Sequence, residues 1–101
     1  MDLSKYTGFD WDEHNAGKNW KKHRVSPQEC EQVLFNSPLR IGWDEIHSEQ
    51  EMRYFALGRT DESKELYLIF TVRKNSIRVI SARPMSAKER RVYELYKKEN
   101  P

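Results

Sequence analysis

The sequence predicts an α+β domain with a small antiparallel four-stranded sheet, a short extra strand near the N-terminus, two N-terminal helices and a C-terminal helix. Three observations favour this fold class: two capped helical segments lie in the first 35 residues, four strand-like segments follow, and a third capped helix comes last. A chain of 101 residues has room for one modest core. We therefore expect a single domain over residues 1–101.

The first part of the chain predicts a short strand and two helices. Apolar and acidic side chains alternate over 9–12, which is typical of a short edge strand. Asp12 is a good N-cap for a helix over roughly 14–23. Ser26-Pro27 places an N-cap before a proline, which predicts a second helix over 27–35.

The middle of the chain predicts an antiparallel meander. Four segments have strand character, at 39–43, 52–59, 66–73 and 77–83, and the polar stretch 44–50 indicates a loop between the first two. The third segment, LYLIFTVR, is apolar on both faces and is therefore predicted to be the central strand.

Local signals mark the turn into the last strand and the start of the last helix. Lys74-Asn75 is a two-residue turn that predicts a tight hairpin. Pro84 ends the strand because it cannot donate a ladder hydrogen bond. Ser86 and Glu89 have the spacing of a capping box, which predicts the start of the C-terminal helix.

Charge is unevenly distributed along the chain. The net charge is only +2, and 34% of residues are charged against 37% hydrophobic. From Glu29 to Glu65 nine acidic residues accompany four basic ones, whereas Leu66 to Lys98 holds nine basic residues and two acidic ones. This asymmetry predicts a polyanionic partner.

The sequence also indicates in which cellular compartment the protein works. The chain has no apolar run long enough for a membrane span and no pattern of an export signal, so we expect a cytoplasmic protein without membrane contact. Cys30 is the single cysteine, which fits a reducing compartment. Its acidic neighbours favour a buried helix residue over a nucleophile.

Basic side chains on predicted rigid elements are the candidates for contact with a phosphate-rich ligand such as RNA. An aromatic residue beside the first helix is a further candidate, since it could stack on a base. The predicted RNA-binding residues are Trp11, Lys18, Lys21, Arg78, Lys88 and Arg90.

A second set of residues has the chemistry to cleave a phosphodiester. Attack by the 2′-hydroxyl needs a general base, a cation at the crowded phosphorane and an acid for the leaving 5′ oxygen. Several suitable side chains stand at predicted element ends, where sites on a scaffold usually lie. The predicted catalytic residues are Lys22, His23, Glu51, Arg53, Arg83 and Tyr93.

Each of these residues also has a plain structural interpretation. His23 suits the C-terminal end of a helix as a cation. Glu51 and Arg53 have the same strand parity and could simply pair. The basic residues of the last helix could be a solvated face, and Trp11 and Tyr93 could be packing residues.

Neither metal nor nucleotide chemistry is indicated. The histidines have no i+4 partner and no second cysteine joins them, so we expect no metal and no cofactor. The four glycines are scattered and form no phosphate loop.

Three stretches together resemble the BrnT family of bacterial toxins: FDWDEHNAGKNWKKHRVS, HSEQEMRYFALGR and IRVISARPMSAKERRVYE. The family pattern runs F-x-W-D, N-x-x-K-H-G-V, E-x-R with a following L-G, R-I-I-S-A-R and E-R-x-x-Y. It falls on Phe9, Trp11, Asp12, Asn19, Lys22, His23, Val25, Glu51, Arg53, Leu57, Gly58, Arg78, Ile80, Ser81, Ala82, Arg83, Glu89, Arg90 and Tyr93.

The resemblance implies a fold, an activity and a partner. The fold would be RelE-like, and the activity that of a ribonuclease which stops translation. The partner would be a BrnA-type antitoxin, a ribbon-helix-helix protein through which the complex binds its own promoter DNA.

Three positions depart from the family pattern. Asn15 stands where a lysine is usual, which would weaken RNA binding. Arg24 stands where a glycine is usual, and glycine takes the left-handed conformation of a helix end more cheaply. Pro27 replaces an aromatic residue.

Two hypotheses of different class therefore remain open. The first is a metal-independent endoribonuclease in which Arg53 and Arg83 hold the scissile phosphate, Lys22 assists, and His23 or Glu51 moves the proton. The second is a non-catalytic module that binds nucleic acid or a protein partner through its basic surface.

Overall fold

Five strands form one mixed sheet in the computed structural model, which describes residues 1–45 and 51–101. The spatial order of the strands is β1-β5-β4-β3-β2. Their bounds are β1 Gly8–Phe9, β2 Arg40–Trp43, β3 Tyr54–Arg59, β4 Glu65–Arg73 and β5 Ser76–Pro84. Part of the predicted loop, residues 46–50, lies outside the described residues.

Within the described ranges, three α-helices pack on the sheet, as the capping signals predict. They are α1 Glu13–His23, α2 Pro27–Phe35 and α3 Ala87–Glu99, and a 3-10 turn at Leu3–Lys5 precedes them. Each α-helix begins with a capping box, so the first orphan N–H groups are satisfied locally. None of the helices in the described ranges is both long and apolar enough to cross a membrane.

The α+β class is confirmed, but the predicted sheet needs one correction. Strands β2 to β5 pair antiparallel as expected, whereas β1 pairs parallel with β5 and makes the sheet mixed. The N-terminal strand is also shorter than the predicted 9–12. Its pairing ends when Asp10 N donates to Ile77 O, because Asp12 must then cap α1.

The hairpin between β4 and β5 is confirmed in detail. Lys74 and Asn75 both have positive φ, 49° and 67°. This is the backbone of a type I′ turn, whose twist matches that of the flanking strands.

The core lies on both faces of the sheet. On one, here called the α2 face, α2 packs against alternate residues of the three central strands. The buried residues of that face are Val25, Cys30, Val33, Leu34, Ala56, Leu66, Leu68, Phe70, Ile77, Val79 and Ala82. Burial raises the pKa of the Cys30 thiol to about 12, so it stays protonated, as the packing interpretation predicted.

On the other face, here called the α3 face, α3 covers only one end. Leu57 of β3 packs there against Met85 and Tyr93, with Phe55 and Tyr67 beside them. The opposite end of the α3 face is left to polar side chains.

Strand β5 contains a β-bulge at Ile80. Ser81 lies opposite Ile69 and Val79 lies opposite Phe70, so Ile80 is an extra residue without a register partner. Arg78 and Arg83 are five residues apart and would lie on opposite faces of a regular strand. Because the bulge adds one residue, both lie on the α3 face.

Helix α1 bonds the backbone of β5 on either side of the bulge through two buried asparagines. Asn15 Nδ2 donates to Val79 O at 3.3 Å, and Asn19 Oδ1 accepts from Ala82 N at 3.1 Å. Both asparagines are 3% exposed. The helix therefore takes the place of a neighbouring strand where β1 has ended.

Helix α1 ends at Arg24, which adopts the left-handed conformation with φ 57° and ψ 37°. A glycine at this position would adopt that conformation without the steric cost of a Cβ. The guanidinium of Arg24 lies over the Trp20 ring, 5.4 Å from its centroid, and this contact favours the observed conformation of the Arg24 side chain.

We expect Asn19→Ala to lower the free energy of unfolding by about 1–3 kcal/mol, because the buried Ala82 N–H loses its acceptor. Urea unfolding at pH 7 measures the change. The control is Lys21→Ala, an exposed position on the same helix. Equal stability of Asn19→Ala and Lys21→Ala would contradict the proposed role of this bond.

Candidate functional site

A polar cleft lies where α1, β4 and β5 meet the chain just before β3. We call it the arginine cleft, and its volume is about 150 Å³. Its lining residues are His14, Asn15, Lys18, Glu51, Arg53, Arg73, Arg78, Val79 and Ile80. Among the described lining residues, four cations thus face one carboxylate, and the bulge of β5 forms part of the wall.

Glu51 is the carboxylate of this cleft and is shared by two arginines. Arg73 holds it with two hydrogen bonds, from Nε and Nη2, each 3.2 Å long. Arg53 Nη2 lies 3.8 Å from the same carboxylate. The hydrogen bond to Glu51 raises the pKa of Arg73, so the arginine stays charged.

Arg78 is held from the other side of the cleft. Its guanidinium contacts Asp12 at 2.9 Å and Asp10 at 3.4 Å, and its side chain is 13% exposed. The backbone N–H of Asn15 and then the Arg78 guanidinium lower the pKa of Asp12. One carboxylate therefore caps α1 and also orients an arginine into the cleft.

A second depression lies farther along the α3 face. We call it the aromatic pocket; its volume is about 300 Å³. Its lining residues are Arg40, Phe55, Leu57, Tyr67, Lys88, Glu89 and Val92. It differs from the arginine cleft because its floor is apolar and its charges lie at the rim.

Arg83 lies beside this pocket rather than in the cleft. Its guanidinium stacks over the Tyr67 ring at 4.3 Å and forms two hydrogen bonds with Glu89, 2.8 and 2.9 Å long. The bond to Arg83 lowers the pKa of Glu89, and burial raises the pKa of Tyr67.

The arginine cleft brings together four of the residues predicted from sequence. Lys18 of α1, Glu51 and Arg53 just before β3, and Arg78 of β5 come from three different parts of the chain and all line the same cleft. Lys22 and His23, at the end of α1, are not among its described lining residues.

The other predicted residues lie elsewhere. Tyr93 is fully buried, and its hydroxyl donates to Pro38 O at 2.7 Å. Trp11 is half-buried, and its Nε1 donates to Glu31 at 2.8 Å. The remaining cations, Lys21, Lys88 and Arg90, are exposed on helices.

Two ionisable lining residues, His14 and Arg73, were not among the residues predicted from the sequence. His14 lies one helical turn before Lys18, and this i, i+4 spacing on α1 is the signal that would have found it. Arg73 ends β4 opposite Ser76, and the tight hairpin turn places it beside the start of β5.

Asn15, which stands where the family pattern has lysine, is used structurally. It completes the capping box of α1 with Asp12 and also bonds Val79 O. Its side chain therefore lies at the base of the cleft as a neutral group.

The cleft chemistry is that of anion binding with an adjacent proton acceptor. Guanidinium groups bind phosphate oxygens, and a carboxylate between them can accept a proton. Across residues 1–45 and 51–101, His, Cys, Asp and Glu form no group of three or more that could hold a metal ion.

The fold and the cleft define a class: a small basic α+β domain that presents fixed arginines and a carboxylate to a phosphate-bearing ligand. A family model narrows the class. It describes a ribonuclease toxin, BrnT, of type II toxin-antitoxin systems, and it matches residues 11–89. The chain belongs to this family, so the protein is a ribonuclease toxin with an antitoxin as its partner. No curated protein matches the chain.

We expect the stability contributed by Glu89 to depend on pH. Its folded-state pKa lies below the ordinary value of 4.5, so the carboxylate stabilises the fold above that pH and loses this effect as the pH falls. Glu89→Gln keeps a capping side chain but removes the charge, and should cost about 1 kcal/mol at pH 7.

Urea unfolding of both proteins between pH 7 and pH 3 measures the difference, which should shrink towards the acid end. Glu62→Gln, at an exposed turn position, is the control. A difference that is constant over this range would contradict the contribution of the Arg83 bond.

Proposed function

We propose that the protein is a metal-independent endoribonuclease whose arginine cleft holds the scissile phosphate of an RNA. The observation that carries this proposal is the sharing of Glu51 between Arg53 and Arg73 inside a cleft that also contains Arg78. Cleavage would follow attack of the 2′-hydroxyl on the phosphate and leave a 2′,3′-cyclic phosphate.

Arg53 and Arg78 would stabilise the charge that develops on the phosphorane oxygens. Arg78 is already oriented by Asp10 and Asp12, so little reorganisation is needed when the substrate binds. Lys18, on the same side of α1 as His14, would add a further cation. These positioned cations would take the part that a metal ion plays in other nucleases.

Proton transfer would be shared between Glu51 and His14. Glu51 would take the proton from the 2′-hydroxyl, with Arg73 as the positioning residue that orients the carboxylate. His14 faces the same cleft and would protonate the leaving 5′ oxygen. Its position in the cleft favours His14 over His23 for this step.

The other predicted side chains would have supporting roles. Lys21 and Lys22 follow Lys18 at i+3 and i+4 and would extend its cationic surface along the RNA. Lys88, at the rim of the aromatic pocket, and Arg90 would contact neighbouring phosphates. The hydrogen bonds of Trp11 and Tyr93 favour packing roles.

The family supports the wider setting of this proposal. We propose that residues 1–101 form one toxin domain with a RelE-like fold, and that cleavage of RNA stops translation. The antitoxin would be of the BrnA type, would mask the basic surface, and would connect the complex to its promoter DNA through a ribbon-helix-helix domain.

We expect Arg53→Ala and Arg78→Ala each to lower the cleavage rate by about 10²–10³-fold, since each removes a cation from the transition state. The measurement is the initial rate on a single-stranded RNA with EDTA present, alongside RNA affinity, which should fall much less. Arg91→Ala, exposed on α3, is the matched control.

Two results of that assay would contradict the proposal. Loss of wild-type cleavage on chelation would exclude the metal-independent mechanism. Rates that fall only in proportion to affinity would support a non-catalytic binding module.

We expect Glu51→Gln and His14→Gln each to lower the cleavage rate by about 10²–10⁴-fold, the usual contribution of a general base or acid. The pH–rate profile separates their roles: Glu51→Gln should lose the acidic limb, and His14→Gln the basic limb. His23→Gln should leave the profile unchanged. A larger loss in His23→Gln than in His14→Gln would assign the acid to His23 instead.

A further inference from the structure

We propose that the aromatic pocket binds one nucleobase of the RNA whose scissile phosphate occupies the arginine cleft. This inference rests on the proposed function and adds a base-recognition subsite to it. The subsite would select which base stands next to the cleaved linkage.

The two sites are neighbours on the α3 face. Arg53, in the cleft, and Phe55, in the pocket, are two residues apart on one chain segment and therefore project to the same face. Their backbone positions are about 7 Å apart. A nucleotide that places its phosphate in the cleft can therefore place a neighbouring base in the pocket.

The floor of the pocket suits a flat aromatic ligand. The Phe55 and Tyr67 rings are nearly parallel, at 7°, with centroids 6.3 Å apart. Both side chains are partly exposed, whereas Leu57 beside them is buried. The Arg83 guanidinium covers one face of the Tyr67 ring at 4.3 Å, so a base would stack on the ring surface that remains exposed, which gives affinity without hydrogen bonding.

Gly42 of β2 is needed for this floor. A Cβ at position 42 would collide with the Phe55 ring, so the ring lies directly over the backbone of the edge strand. Glycine at position 42 thus leaves the space that the Phe55 ring occupies.

The rim of the pocket carries groups that can read a base edge and hold the chain. Arg40 and Lys88 offer donors, and Glu89, fixed by Arg83, offers an acceptor. Apolar walls with a few fixed polar groups are typical of a specific small-ligand site. The rim carries more cations than anions, which favours a polyanionic ligand over a protein segment with few acidic residues.

The test uses 2′-O-methyl RNA oligonucleotides, which keep all phosphates but cannot be cleaved, with an abasic site at each position in turn. At one position, loss of the base should weaken wild-type binding by about 5-fold to 150-fold, the range for stacking of one base on an aromatic side chain. Tyr67→Leu, which keeps apolar bulk but leaves only the Phe55 ring, should show a much smaller loss. Tyr67→Phe should retain the full loss.

Phe35→Leu removes an exposed aromatic residue at the end of α2 and is the matched control; it should behave as wild type. Tyr67→Leu should also relax the sequence preference of cleavage on unmodified RNA. The inference would be overturned if Tyr67→Leu discriminated between bases as well as the wild type does, or if the wild type did not discriminate between bases.

The same experiment separates this inference from the proposed function. If the wild type cleaves RNA and Arg53→Ala does not, but Tyr67→Leu keeps its base discrimination, the subsite is wrong and the nuclease stands. If Tyr67→Leu loses only antitoxin affinity, the pocket belongs to the antitoxin and the inference is overturned. Absence of wild-type cleavage with intact base discrimination would overturn the nuclease and leave the base site.

Discussion

The contact between α1 and the bulged part of β5 is the constraint on which both sites depend. Asn15 and Asn19 bond the backbone at Val79 and Ala82, one on each side of Ile80. Val79 O and Ala82 N lie on the edge of β5 beyond the end of β1, and the two side-chain amides satisfy them in a buried setting where an orphan group is expensive. Helix α1 thus completes the hydrogen bonding of β5 beside the bulge.

The arrangement of charged side chains in the cleft follows from this contact. Asn15 and Asp12 form the capping box of α1, and the same Asp12 carboxylate holds Arg78. Arg53 and Arg73 have Glu51 between them in a similar way. The carboxylates keep like charges close together before any ligand arrives, so a bound phosphate meets cations that are already in position.

The helices and the hairpin were predictable because their signals are local. Ser26 and Ser86 are followed at N3 by glutamates, and Lys74-Asn75 defines a two-residue turn, so no distant contact is needed. The parallel pairing of β1 and the bulge depend on long-range contacts. Strict alternation would have put Arg78 and Arg83 on opposite faces, and nothing near Ile80 in the sequence marks an insertion. The residue types of the cleft could therefore be predicted from the sequence, but the particular residues that form it could not.

The two outer strands have a consequence for the behaviour of the toxin when it is released from its partner. β1 has two residues and β2 has four, and β2 begins with a charged side chain. Short edge strands with charged side chains are poor templates for the addition of a strand from another copy of the chain. A freed molecule should consequently resist edge-to-edge pairing with other copies of itself.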